Sequence, residues 1–468
     1  MGGLALPPPA HALPAFARQT GQNCVACHAG GQFPELTPYG RMFKITGYTI
    51  GARTLPLAIM GVASDTWVAN TAKSDSPASD FAKDARPIFA TASLFVAGKV
   101  TDNVGAFLQF TYDNYASQSG DGSYHGYTAA DNMDIRFADH LIDPQRDLAY
   151  GFSLNNNPSV SDPWNTAAAW MQYVPVPMSS VPSAYQFIDG NTPYPGYGSG
   201  GNIAGLTGYL FWNRSLYLEA GSYRTANGPL SLLSLNLDDA NTTHLAGSWN
   251  PYWRAAWSHE WGAHNLMVGT SGMVARVYDA GSSTADAGAL GTFRNTAVDA
   301  QYQYLSDLHT VTVQMAYAHQ EQHYSSNTLA AFTPGYFQAD GVTPLTAPNA
   351  SDSTQLLRAK ASYVHDATVG GSVALFSSHG SANTLNQSAG FDGTGALVSS
   401  SQVNGNLSGR PDTRGMSYEL FWLPLQNLRA GLQYTTYQTY NGADRGYAGG
   451  SRNAGDNNSL FLYLWGAY

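Results

Sequence analysis

Cys24-Val25-Ala26-Cys27-His28 is the run whose residue types and spacing point most directly to chemistry. Two thiols three positions apart, followed at once by an imidazole, make the attachment pattern of a c-type haem. The sulfurs add across the two vinyl groups and the adjoining histidine becomes the proximal iron ligand. The spacing therefore predicts one covalently bound haem c, attached by Cys24 and Cys27 and ligated by His28, the residue at the redox centre. Two other chemistries use a C-x-x-C pair. A dithiol redox pair belongs in a thioredoxin-like βαβ setting, and none is legible here. Half of a zinc site would need further cysteines, and the chain has only two. The distal ligand is less fixed. Met42 follows in Thr37-Pro38-Tyr39-Gly40-Arg41-Met42-Phe43-Lys44. It reads either as the distal iron ligand, which would raise the potential, or as a side chain packed on the haem edge or core. Met60 and several histidines farther along are additional candidates.

The elements that must position these residues divide the chain in three. Residues 1–17 read as the remnant of a signal peptide, with Ala10-His11-Ala12 and Ala15-Phe16-Ala17 as small-x-small cleavage boxes; a Pro/Ala-rich tail is the plainer reading. Residues 18–55 form a short monohaem cytochrome plug. Residues 56–468 read as an outer-membrane β-barrel. Composition supports that last reading. Of 468 residues, 43% are hydrophobic and 12% charged, half the usual share of charge, with 49 Gly and 29 Tyr. Ordinary disorder does not carry so many aromatics. Mean hydropathy is −0.23 and no run of about 18 apolar residues exists, which excludes a helical membrane protein. A net charge of −10 with 22 Lys+Arg excludes a nucleic-acid footprint.

From residue 56 onward, alternating apolar and polar stretches are punctuated by two kinds of connection. Short turns are expected at 101–103, 143–146, 213–214, 262–264, 306–309, 365–367 and 424–427. Long Gly/Ser/Asn/Asp/Pro loops are expected at 71–87, 115–130, 155–202, 225–250, 279–295, 325–354, 380–413 and 441–458. The two classes alternate, and together they join sixteen strands. This predicts an all-β fold, a 16-stranded antiparallel transmembrane barrel with short periplasmic turns and longer external loops. Trp212, Trp257, Trp261, Trp422 and Trp465 are expected in its interfacial girdles, against outer-membrane lipid. A soluble β-sandwich is the alternative, and it would leave sheet edges to protect. The third long loop folds into the lumen as a constriction, or stays outside with a small hairpin.

Four stretches carry a resemblance: Phe16 to Gly21 before the C-x-x-C-H, Pro34 to Arg41 with Phe43-Lys44 after it, the loop text Asn157-Pro158 with Asp162-Pro163-Trp164-Asn165, and Leu462 to Trp465 at the end. Over essentially the whole chain the sequence resembles the fused outer-membrane cytochrome–porin family of iron-oxidising bacteria. That resemblance implies an oxidoreductase that takes electrons from extracellular Fe(II) and passes them to a periplasmic cytochrome c or copper electron carrier. It assigns haem attachment to Cys24 and Cys27 and iron ligation to His28, and leaves Met42 open. Two alternatives remain: a haem-plugged diffusion porin, and an outer-membrane electron conduit for another extracellular donor. No Fe(II) site is legible. Asp113, Asp121, Asp238, Asp239 and Glu321 read as solvated loop carboxylates, and His319 and His323 fall too far apart along a strand to share a metal. The poverty of charge in the loops predicts a Gram-negative, acidophilic source, since neutral polar loops do not accumulate positive charge as carboxylates protonate.

Overall fold

The structure is a computed structural model that describes residues 14–31, 35–70, 87–118, 124–143, 145–166, 203–234, 244–279, 281–331, 348–383, 408–447 and 453–468. Among these residues sixteen long strands form one antiparallel sheet. They are β1 Leu57–Val68, β2 Ile88–Lys99, β3 Val104–Gln118, β4 Tyr124–Asp143, β5 Arg146–Asn155, β6 Ile203–Trp212, β7 Leu216–Thr225 and β8 Asn250–Trp261. Then come β9 His264–Tyr278, β10 Leu290–Leu305, β11 His309–His323, β12 Ser351–His365, β13 Val369–Gly380, β14 Thr413–Leu425, β15 Leu428–Thr439 and β16 Ser459–Ala467. Each strand pairs with its neighbours in sequence. β16 returns to β1 in a register running from Met60↔Ala467 to Val68↔Ser459, so the ring closes and has no edge. A two-residue strand, His244–Leu245, adds to β9 beyond the end of β8.

All seven short turns fall where the pattern puts them. Asn213-Arg214 and Asp366-Ala367 hold paired left-handed backbones, the conformation that joins tightly twisted strands. The long connections also fall at the predicted places, with two changes of boundary. β3 and β4 continue to Gln118 and from Tyr124, and β10 starts at Leu290, so those loops are shorter than composition suggested. The β3–β4 pairing reaches Gln118↔Tyr124 across a register shift between Asp113 and Ser117, and the β9–β10 pairing reaches Tyr278↔Leu290.

Alternation sorts the two faces. On β11, Val313 and Met315 point outward and are about half exposed, while Thr312 and Gln314 point inward and are buried. An outward apolar belt with an inward polar surface is the pattern of a wall between lipid and lumen. Trp212, Trp257, Trp261 and Trp422 stand on the outer face near the short-turn end. Trp465 does not join them. It is buried on the lumen side with Phe461 and Tyr463, while Leu460, Leu462 and Leu464 take the outer face. β16 is apolar on both faces, so alternation of polarity could not reveal which one points inward.

Candidate functional site

The chain before β1 forms a plug of three short helices: α1 Pro14–Thr20, α2 Cys24–Cys27 and α3 Pro38–Ile45. The C-x-x-C run is a single helical turn. His28 leaves it in an extended conformation, its N–H donating to the Cys24 carbonyl at 2.8 Å. α3 clamps this turn. Thr37 caps α3, accepting from the Gly40 N–H at 3.1 Å, and Pro38 follows in the first turn, where its missing N–H has no cost. The same Thr37 donates its hydroxyl to the Ala26 carbonyl at 2.5 Å and its N–H to the Cys27 carbonyl at 2.9 Å. Gly40 lies so close that a Cβ there would sit 2.1 Å from the Cys27 carbonyl oxygen. Thr37 and Gly40 are thus positioning residues for the motif, a role that spacing in the sequence does not assign. The signal was present as a Thr-Pro helix start ten residues after the second cysteine.

The donor set fits a c-type haem. Both thiols are free. Burial pushes Cys24 up to about 12 and Cys27 up to about 11, so neither behaves as the thiolate of a reactive redox pair. Burial also lowers His28 to about 4 against the opposing pull of Glu35, so that above about pH 4 its imidazole is neutral and able to ligate iron. Among the described residues no group of three His, Cys, Asp or Glu side chains is placed to hold a bare metal ion.

The plug lies inside the barrel at its short-turn end and touches wall around most of the circumference. Arg18 donates to the Leu55 carbonyl at 3.4 Å and to that of Leu57 on β1. The Lys99 N–H of β2 donates to Gln19 at 2.8 Å. Tyr48 donates to Asp134 of β4 at 2.6 Å, and Tyr209 of β6 donates to the Ile45 carbonyl at 2.7 Å. Arg41 reaches Asn265 of β9 at 2.7 Å and Gln303 of β10 at 3.1 Å. Lys360 of β12 pairs with Glu35 at 2.6 Å, and Cys24 meets Gln426 in the β14–β15 turn.

The third long loop enters the lumen as far as it is described. Pro158–Ser161 forms a short helix, and Asp162 and Trp164 are fully buried. Arg254 of β8 holds this loop, bidentate to Asp299 at 3.0 and 2.7 Å and paired with Asp162 at 3.1 Å. Lys44 of the plug donates to the Asp162 carbonyl at 2.8 Å, so plug and loop lock together. The strand-like stretch at 167–174 lies outside the described residues.

No protein-family model and no curated protein matches the chain. Among solved structures it is similar to OmpF of Salmonella typhi in complex with daunomycin, at 13% identity over 88% of this chain and 97% of that one, with a TM-score of 0.45. It is similar to the outer-membrane channel DcaP of Acinetobacter baumannii, at 9% identity over 88% and 96%, with a TM-score of 0.46. OprB of Pseudomonas putida stands at 11% identity over 88% and 93%, with a TM-score of 0.44. The closed hydrogen-bonded ring of this chain is what establishes its porin-like barrel.

Met42 is half-buried and packs against the cluster of Ile45, Trp164, Tyr209 and Tyr217. Met60 faces the lumen from β1, between the α1 cluster and the Phe461–Trp465 cluster. Glu321 lies on β11 near the loop end, 3.7 Å from His319 of the same strand. Asp121, Asp238 and Asp239 lie outside the described residues.

Proposed function

We propose that this chain is an outer-membrane electron-transfer barrel, with Fe(II) outside as the electron donor and a periplasmic cytochrome c or copper protein as the acceptor. The observation that carries the reading is a C-x-x-C-H turn fixed inside the lumen of a closed barrel. Bound there, a haem c supplies a one-electron redox centre within the width of the membrane wall. The rest is the work of the chain. Cys24 and Cys27 present two neutral thiols from one turn, and His28 a neutral imidazole next to them. Thr37 and Gly40 hold that turn against α3. The plug and the inward loop crowd water out at this level, where Arg136, Arg254, Asp134 and Asp162 are fully buried. Their ion pairs carry the load of that burial. The likeness of the N-terminal 30 residues and of the loop at 157–165 to the cytochrome–porin family supports Fe(II) as donor, and the sparse charge of the loops supports an acid habitat.

A second reading has its own observation. A barrel of sixteen strands with a loop folded into its lumen and a charged cluster at the narrowing is built like a diffusion porin. Two measurements on the purified full-length protein separate the readings. The electron-transfer reading expects a covalent haem and its reduction by Fe(II) at acid pH, with little solute flux in liposomes. Absence of haem, or haem that Fe(II) leaves oxidised while solutes pass freely, sinks it in favour of the porin.

A further inference from the structure

The inner wall of β10, β11 and β12 carries a row of neutral polar side chains near the long-loop end. Asn295 stands opposite Gln320, and Gln320 opposite Thr354. All three face the lumen and are at most 3% exposed. Both amide atoms of Asn295, both of Gln320 and the Thr354 hydroxyl are buried without a hydrogen-bond partner. Leaving a buried polar atom unpaired is costly, and five of them in one row make a surface built for a polar occupant.

An anion stands beside the row. Asp352 is the next inward residue of β12 toward the loops, about 7 Å along the strand from Thr354. It is 4% exposed. Neutral donors hold its carboxylate: the Tyr324 hydroxyl at 2.7 Å and the Asn383 amide on one oxygen, the Asn349 amide at 2.8 Å on the other. Asp134, Asp162, Asp299 and Glu419 in the same lumen each have an arginine. Asp352 has no cation at ion-pair distance among the described residues. Arg410 donates to the Gly380 carbonyl at 3.2 Å. Arg358, also inward on β12, is about 20 Å farther along the strand. A buried carboxylate held by neutral donors alone favours a cation from outside the chain. One carboxylate, two amide oxygens and a hydroxyl are hard oxygen donors, a set that takes a divalent cation with part of its water shell and, with no imidazole or thiolate, holds it loosely.

We infer that Asp352, with Asn295, Gln320 and Thr354, is the capture site at which hydrated Fe(II) enters the lumen. The set collects the ion and does not oxidise it. The C-x-x-C-H segment packs at the other end of β12, where Gly30 meets Val364 and Gly31 meets Ala367, about 40 Å along the strand. The site therefore acts on how often the lumen is occupied and not on the redox step.

This inference rests on the Fe(II) reading above, and its test measures binding apart from oxidation. Mn(II), a divalent cation that the haem does not oxidise, is titrated into the purified full-length protein in detergent, and the unbound ion is read from its EPR signal. Wild type is expected to bind it saturably, with Fe(II) displacing it under argon. Asp352→Asn is expected to weaken binding about tenfold or more, because the site loses its only charge. Gln320→Leu is expected to weaken it less, and Asp366→Asn, in an exposed short turn, to leave it unchanged. In stopped-flow reduction of the haem, Asp352→Asn is expected to raise the Fe(II) concentration for half-maximal rate and to keep the limiting rate. No saturable Mn(II) binding in wild type overturns the inference, as does Asp352→Asn with wild-type binding and half-saturation, even where Fe(II) reduces the haem. Binding that Asp352→Asn abolishes, beside a haem that Fe(II) leaves oxidised, supports the cation site and overturns the Fe(II) reading. Should Asp352→Asn fail to fold, Gln320→Leu, which leaves the hydrogen bonds of Asp352 intact, decides in its place by weakened Mn(II) binding.

Discussion

The two sides of the lumen are built by opposite chemistry. From β4 to β10 the wall carries buried charges held by ion pairs and hydrogen bonds. Asp134 accepts from Arg136 at 2.6 Å, from Tyr48 at 2.6 Å and from Ser153 at 2.7 Å, and Glu219 accepts from Thr207 and Tyr217. The guanidinium of Arg136 lies 5.1 Å from the ring centre of Tyr209. From β14 round to β2 aromatic and aliphatic side chains alternate with small neutral polar ones, and the buried ion pair among the described residues there, Arg429 to Glu419 at 2.7 Å, has Phe421 stacked 3.8 Å from the guanidinium. The contrast assigns two jobs. Directional, desolvated ion pairs hold α3 and the inward loop in one register, because breaking any of them strands a buried charge. The apolar side makes no such demand, and it is the side on which Cys24 lies, where a flat apolar macrocycle would find partners of its own kind.

The largest expected effect removes the chemistry and leaves the barrel. Cys24→Ala with Cys27→Ala should abolish covalent haem entirely, read as loss of peroxidase-active staining on a denaturing gel. The heat-dependent gel shift of a folded barrel should persist. If that shift also disappears, plug and barrel are one folding unit and the contrast between them fails. Next comes the charged side. Arg254→Ala leaves Asp162 and Asp299 buried without their cation, at a cost of about 3–5 kcal/mol. The inward loop should then become sensitive to protease, and single-channel conductance in planar bilayers should rise. Unchanged conductance would show that the loop is held by other contacts.

Smaller effects lie where the plug meets its own motif. Gly40→Ala drives a methyl against the Cys27 carbonyl and should cost about 1–3 kcal/mol. Its signature is a lower haem-to-protein ratio with an unchanged barrel melting transition. Thr37→Ala removes a helix cap, at about 1 kcal/mol, and should lower haem retention in mild denaturant by less than Gly40→Ala does. A reversed order would place the cap, and not the close packing, as the main clamp on the turn.

The sequence by itself determined the strand count and the place of the C-x-x-C-H motif, and both for local reasons. Strand alternation and turn chemistry are written within a few residues, so seven turns and eight loops were countable, and C-x-x-C-H is a contiguous pattern. Thr37-Pro38 was legible as a helix start, yet its hold on Cys27 depends on a fold-back that no periodicity records. What tertiary structure decided are the choices between equal local patterns. Trp465 reads like any girdle tryptophan, and closure of β16 onto β1 turned it inward. Met42, close in sequence to His28, packs with Trp164 because α3 turns that face toward the inward loop. Met60, on the first strand, is brought against Phe461, Tyr463 and Trp465 because closure of the barrel joins its first strand to its last.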